Sequence, residues 1–272
     1  APLYGSGKSE RFFWEFLSSV PREEFVLSTK VGRLLDNKGP MDEDGLFVNV
    51  PNLEVRYDYS RDGVLRSIDE SLDRLGLDRI DIAFIHDPDE HVDKAINEAF
   101  PTLADLRSQG VLKAIGAGMN QWEMLADFAR KGDFDCFLLA GRYTLLDYSA
   151  LEIFLPLCLE KDISVILGGP YNSGILASDL KSETTYFYQE APQEVITRAG
   201  EIREICAKYN VALKAAALQF GLLHPAVAST IPGARKPAEV LENIESASAE
   251  IPTDLWNELK EEGLLPGGAP TK

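Results

Sequence analysis

Six short runs rich in β-branched and aromatic residues recur along the 272-residue chain, with segments of helical period between most of them. This alternation limits the fold more than any other feature, because strand-helix units of this kind build a parallel sheet. The runs are residues 24–30 (EFVLSTK), 80–86 (IDIAFIH), 112–118 (LKAIGAG), 134–140 (FDCFLLA), 163–169 (ISVILGG) and 226–231 (AVASTI). Between the first two, Ser60 is placed to cap a helix whose apolar stripe is Val64, Ile68, Leu72 and Leu75, and Gly76 closes it. The next stripe is Ala95, Ile96, Ala99, Phe100, Leu103 and Leu106, ended by Gly110. Further helices are predicted over 122–130, 149–161, 193–208, 213–223 and 237–246. Two stretches, 31–57 and 176–193, are long, polar and without period, and loops of that length in a compact domain usually carry function or disorder.

No repeat, low-complexity tract or Pro/Gly/Ser linker divides the chain, so residues 1–272 read as a single domain. Six such units fit either an open doubly wound sheet or most of an eight-stranded barrel of about 250 residues. The barrel is favoured. No G-x-G-x-x-G follows any strand, and polar residues (Lys30, His86 and, just beyond, Asn120) fall at the C-terminal ends of successive strands, where barrel enzymes place their chemistry.

The 44 acidic residues against 27 basic give a net charge of −17, a surface that repels phosphate backbones and anionic membranes, so no nucleic-acid or membrane partner is expected. No apolar run approaches the ~20 residues of a membrane-spanning helix. Cys136, Cys158 and Cys206 are odd in number and far apart, which suggests neither a disulfide framework nor a thiolate metal site, and fits a cytoplasmic setting. His86, His91 and His224 are too few for a His-rich metal site; His91 is expected in a loop and His224 at a helix end.

Gly5-Ser6-Gly7-Lys8-Ser9 ends like a phosphate-binding P-loop, and 80–87 imitates the acidic strand that accompanies one. The pattern fails, because Pro2 stands where the loop requires its first glycine and no strand precedes it. Tyr4, Lys30 and His86 carry more. A phenol exchanges a proton with a carbonyl or alcohol oxygen at neutral pH only beside a cation that favours the phenolate, and Lys30 is the candidate cation. His86, ending an apolar strand, is placed to donate a hydrogen bond to the reacting oxygen. The plain alternatives are a surface tyrosine, a solvated lysine and a histidine that satisfies a turn.

The segments APLYGSGKSE, FVLSTKVG, RSIDESLDRLGLDRIDIAFIHD, GAGMNQWE, AGRYTLLD, GGPYNSGIL and ASTIPGARKPAEVLENI, in this order from Ala1 to about Leu265, resemble the aldo-keto reductase superfamily, and within it the branch of aldose and pyridoxal dehydrogenases. The resemblance implies a (β/α)8 TIM barrel that binds a nicotinamide cofactor without a Rossmann domain. It implies a catalytic tetrad in which Tyr4, Lys30 and His86 match the tyrosine, lysine and histidine. The aspartate of the family's D-T-A-x-x-Y-G motif would fall two places before Ala1. The chain is therefore expected to be N-terminally incomplete, lacking the first strand, helix and strand, about 40 residues at the barrel's usual unit length.

Cofactor contacts are implied in the same way. Asn120 matches the residue that binds the nicotinamide carboxamide, Met119 stands where many relatives have serine, and Gly168 where relatives often stack an aromatic ring. The loop from Pro170 through Ser173 and Gly174 to Leu176 is expected at the pyrophosphate, with Tyr171 and Asn172 as further contacts or as a turn. Ile231, Gly233, Arg235, Glu239, Glu242 and Asn243 match the adenosine segment. A carboxylate at Glu239 repels the 2′-phosphate of NADP, so NAD is the expected cofactor, with NADP the alternative. Trp122 and Arg142 are candidate substrate residues, Tyr143 a residue of the pocket or its rim. The implied activity is oxidation of an aldose of the L-fucose or D-arabinose type to its lactone. The alternatives are a pyridoxal or other small aldehyde or alcohol dehydrogenase, and a nicotinamide-binding barrel without catalysis.

Overall fold

A computed structural model describes residues 1–36, 50–51, 53–180 and 184–271. They gather into two compact units, one of Ala1–Met119 with Asp127–Phe137, the other of Asn120–Ala126 with Leu138–Lys272. None of the described helices is long and apolar enough to cross a membrane.

The first unit runs through α1 (Lys8–Leu17), β1 (Ser28–Val31), the antiparallel pair β2 (Arg33–Asp36) and β3 (Glu54–Tyr57), α2 (Arg61–Leu75) and β4 (Ile82–His86). A short α3 (Val92–Lys94) passes through a π turn at Ala95–Ala99 into α4 (Phe100–Ser108), followed by β5 (Ala114–Met119). Strand β1 lies parallel to β4, with Lys30 opposite Phe84, and β4 lies parallel to β5, with His86 opposite Gly118. These strands read as near-continuous apolar runs because both their faces are covered: Val31, Ala83, Phe84, Ile85 and Ile115 are buried. Helix α2 forms as its sequence dictates. The Ser60 hydroxyl accepts from the Gly63 N–H at 3.1 Å, Val64, Ile68 and Leu75 are buried, and Gly76 ends the helix at φ 59° with its N–H on the Leu72 carbonyl. A Cβ on Gly76 would stand 2.2 Å from the Trp14 ring, so the position needs glycine for space as well as for conformation.

Helix α5 (Trp122–Lys131) and strand β6 (Cys136–Ala140) each contribute residues to both units. The second unit continues with α6 (Phe154–Glu160), β7 (Ser164–Gly168), a 3-10 segment at Asn172–Ala177, the small antiparallel pair β8 (Thr185–Tyr186) and β9 (Gln189–Glu190), α7 (Gln193–Lys208) and α8 (Leu213–Phe220). It ends with β10 (Val227–Ile231), α9 (Pro237–Ser248) and α10 (Thr253–Glu261). Strands β7 and β10 are parallel, Leu167 opposite Thr230. Phe220 packs between Tyr143 and Trp256, with ring centroids 5.0 and 6.1 Å away.

All six expected strands are present, with shifted ends. The first begins at Ser28 rather than 24, because Arg22–Glu24 is a 3-10 turn and the Leu27 N–H goes to the Asp81 carboxylate. The helix expected from 149 begins at Phe154, since Asp147 takes both the backbone N–H and the hydroxyl of Ser149 and holds that stretch in turns. The stretches 31–57 and 176–193 are not structureless: their described parts hold β2 with β3 and β8 with β9, while 37–49, 52 and 181–183 lie outside the described residues. Helices α1 and α10 are additions. His224 does end a helical turn, buried, its Nδ1 accepting from the Ala226 N–H; His91, expected in a loop, closes a 3-10 turn against the rings of Tyr57 and Tyr59.

Candidate active site

In the first unit Tyr4, Lys30 and His86, distant in sequence, meet. Tyr4 precedes α1 in a tight turn where Gly5, Ser6 and Gly7 all take left-handed φ, and its ring is 40% exposed. Lys30 is third in β1 and His86 last in β4, both buried. The Lys30 ammonium donates to the Tyr4 hydroxyl at 2.7 Å, and its Nζ is 3.4 Å from His86 Nε2. The Tyr4 and His86 rings meet edge to face, centroids 5.7 Å apart. The GSGK sequence thus forms the turn that presents Tyr4 rather than a phosphate loop.

Burial, reinforced by the nearby charges of Lys30 and Arg33, pushes the pKa of the His86 imidazolium far below the ordinary histidine range, so the ring is neutral at physiological pH. Its Nδ1 has no partner among the described residues. The backbone beneath it is pinned: the Tyr59 hydroxyl donates to the carbonyls of His86 at 2.6 Å and Asp87 at 3.1 Å. Burial raises the pKa of the Tyr59 phenol, which remains protonated and able to donate. Gly32 makes room for this buried ring, since at its φ of 100° a Cβ would stand 2.1 Å from Tyr59 Cε1.

Two residues that the strand-end pattern did not single out as site residues adjoin the trio. Asp87 Oδ2 is 3.3 Å from His86 Nε2, and Arg33 Nη2 donates to the same oxygen at 2.9 Å. The signal for Asp87 was the acid ending the 80–87 strand; for Arg33, in a stretch without period, there was none.

The second unit holds the remaining candidates. Asn120 donates from Nδ2 to the Ala140 carbonyl at 3.1 Å, and Trp122, half-buried, opens α5. Arg142 is 34% exposed, paired with Asp147 at 3.0 Å and lying over the Phe187 ring at 4.2 Å, with Tyr143 buried beside it in sequence. Pro170 and Leu176 are buried, whereas Ser173 (φ 58°) and Gly174 (φ 101°) form a left-handed kink in which nothing lies within 4 Å of a Cβ on Gly174. The β8–β9 turn is tied to that kink, its Tyr188 N–H donating to the Ser173 hydroxyl. Ile231, at the end of β10, is about half exposed, and Gly233 is open to solvent. Glu239 accepts from the Arg235 backbone N–H at 2.6 Å and from its guanidinium at 3.0 Å, and these hydrogen bonds hold the Glu239 carboxyl below the usual range. Glu242 pairs with Lys214 at 2.9 Å. Asn243, buried, accepts from the Tyr171 hydroxyl at 2.8 Å and donates to the Gly233 carbonyl at 3.4 Å. No group of three or more potential metal ligands occurs among the described residues.

A phenol, an ammonium and a neutral imidazole converging on the parallel strands of an α/β unit form a proton-transfer site of the kind an oxidoreductase needs. Residues 1–262 match the Aldo/keto reductase family, and the chain belongs to it. It is 42% identical to the D-threo-aldose 1-dehydrogenase of Pseudomonas sp over 98% of this chain and 83% of that protein. It is 38% identical to the pyridoxal 4-dehydrogenase of Microbacterium luteolum over 97% and 83%. Among solved structures, the holo form of the aldo-keto reductase AKR11C1 from Bacillus halodurans matches with a TM-score of 0.75 at 23% identity, covering 96% of this chain and 80% of that one. The glycerol dehydrogenase AKR11B4 from Gluconobacter oxydans matches with a TM-score of 0.77 at 20% identity, covering 100% and 81%. The fold class is the α/β TIM barrel, and the protein is a nicotinamide-dependent oxidoreductase. The residues fit such a cofactor. The side-chain oxygen of Asn172 is buried without a partner among the described residues, on the loop whose next two residues are small and left-handed.

Proposed function

We propose that the protein oxidises the anomeric hydroxyl of an aldose of the L-fucose or D-arabinose type to the lactone, with NAD as the acceptor. The observation that carries the reading is the 2.7 Å hydrogen bond from the Lys30 ammonium to the Tyr4 oxygen, beside a neutral His86. Tyr4 takes the proton of the substrate hydroxyl, and Lys30 stabilises the phenolate that does so. His86 Nε2–H orients the reacting oxygen. As the C–O bond becomes C=O, the carbon gives up its hydrogen with both electrons. The bound nicotinamide supplies the acceptor for that hydride; in the reverse direction Tyr4 is the acid.

The cofactor would be held by Asn120 at the carboxamide, by Pro170, Ser173, Gly174 and Leu176 at the pyrophosphate, and by Ile231, Gly233, Arg235, Glu239, Glu242 and Asn243 at the adenosine. Trp122 and Arg142 would wall the sugar. The NAD preference rests on Glu239, whose carboxylate already occupies the backbone N–H and guanidinium of Arg235, leaving little with which to attract a 2′-phosphate. The substrate class rests on the 42% identity to an aldose dehydrogenase; the 38% identity to a pyridoxal dehydrogenase favours a second reading, oxidation of pyridoxal at the same site. Formation of reduced cofactor, followed by absorbance with L-fucose, D-arabinose and pyridoxal, separates them. Turnover of the sugars with a kcat/KM at least ten times that for pyridoxal is expected, and the converse ratio would move the assignment to pyridoxal.

A further inference from the structure

The Asp87–Arg33 pair takes no part in the proton transfer, yet it lies against the group that does. Asp87 is 29% exposed and takes φ 38°, in the left-handed region that non-glycine residues avoid. Three contacts enforce that conformation: its N–H donates to the Gly118 carbonyl at 3.1 Å, its carbonyl accepts from Tyr59, and its Oδ2 is held by Arg33, whose guanidinium lies over the Tyr57 ring at 5.2 Å. Backbone strain over-determined in this way is found at functional sites. Its effect here is to turn the 29% exposed carboxylate back onto His86, with Oδ2 at 3.3 Å from Nε2. Oxygens on adjacent carbons, held gauche, lie about one hydrogen-bond length apart. An oxygen bound at Nε2 therefore brings a neighbouring hydroxyl within reach of an acceptor set beside that nitrogen.

We infer that Asp87, oriented by Arg33, accepts a hydrogen bond from the hydroxyl on the carbon next to the reacting carbon and so selects 2-hydroxylated carbonyl compounds and their lactols over deoxy counterparts. This rests on the assignment of Tyr4, Lys30 and His86 as the reacting site. A polyhydroxylated substrate supplies a hydroxyl donor to this carboxylate, and a charged acceptor discriminates against the donor's absence more strongly than a neutral one.

The test is the ratio of kcat/KM for D-arabinose and for 2-deoxy-D-ribose, the same pentose without its 2-hydroxyl, in the wild type, Asp87→Asn and Asp87→Ser, with thermal melts confirming that each variant is folded. Both substitutions are expected to lower kcat/KM for D-arabinose by roughly ten- to a hundredfold more than for the deoxy sugar. Equal losses for the two sugars would show that Asp87 acts only through His86 and would overturn the inference while leaving the proposed function standing. Should no sugar be turned over, the proposed function fails, and saturation-transfer NMR of the two sugars on the NAD-loaded proteins decides the inference. Weakening confined to D-arabinose in the variants upholds it, and parallel weakening or none overturns it.

Discussion

His86 shows how a residue type acquires its role from its surroundings. Its burial and the charges of Lys30 and Arg33 favour the neutral ring, so the folded protein binds a proton there more weakly than the unfolded chain does. As pH falls below the unfolded value of about 6.5, protonation of the unfolded chain is favoured and stability drops, by about 1.4 kcal/mol per pH unit from this residue alone. Denaturant unfolding at pH 6.5, 5.5 and 4.5 is expected to show that slope, and His86→Asn to remove about one proton of it; an unchanged slope in the variant contradicts the assignment of a buried neutral imidazole. By the same reasoning no limb belonging to His86 appears in the pH–rate profile between pH 5 and 8. Tyr4, Lys30 and His86, which the structure brings together, stood out because each is an unusual type for its position: a phenol in a glycine turn, a lysine in an apolar strand, a histidine ending one. Arg33 did not, because its partners Asp87 and Tyr57 are far away in sequence and only the β2–β3 pairing brings the three together.

The strands were the most readable elements, since a parallel strand buried on both faces leaves a continuous apolar run. Helix α1 was not singled out, although Phe12, Phe13, Phe16 and Leu17 follow helical spacing; in the structure Phe12, Phe13 and Phe16 are more than half exposed while Glu10 is buried. Glu10 is kept inside by hydrogen bonds from Thr29 at 2.6 Å and Arg74 at 2.7 Å, which no local period reveals. The start of β1 depends on Asp81 in the same way. That carboxylate is 1% exposed and meets Arg22 at 2.6 Å, the Leu27 N–H at 2.8 Å and Lys113 at 2.8 Å. Burial alone would raise its pKa, but Lys113, the Leu27 N–H and Arg22 outweigh burial and bring it down to about 2. Because the folded value lies below the unfolded one, its contribution is present at pH above about 4 and is lost as pH falls toward 2. Asp81→Asn is expected to cost about 2–4 kcal/mol at pH 7, measured by denaturant unfolding, and much less at pH 2. A cost independent of pH would assign the residue a steric rather than an electrostatic role.

For the whole molecule, the order of strands and helices was enough to favour a barrel, and the absence of a dinucleotide fingerprint was informative because an open nucleotide-binding sheet carries one. What one sequence does not contain is the choice between cofactors and among substrates, which is a difference of a few side-chain charges. If Glu239 disfavours the 2′-phosphate, kcat/KM with NAD exceeds that with NADP by at least about tenfold, and Glu239→Gln narrows the gap; similar efficiencies in the wild type would contradict the reading. The proposed chemistry rests on Tyr4 as the proton-transfer group, and the Tyr4→Phe protein tests it through two readouts, substrate turnover and the fluorescence titration of cofactor. In that protein kcat is expected to fall roughly a hundred- to ten-thousandfold, with the cofactor dissociation constant changed less than about threefold. Turnover close to that of the wild type, or a loss of cofactor binding that alone explains the lost activity, would contradict it.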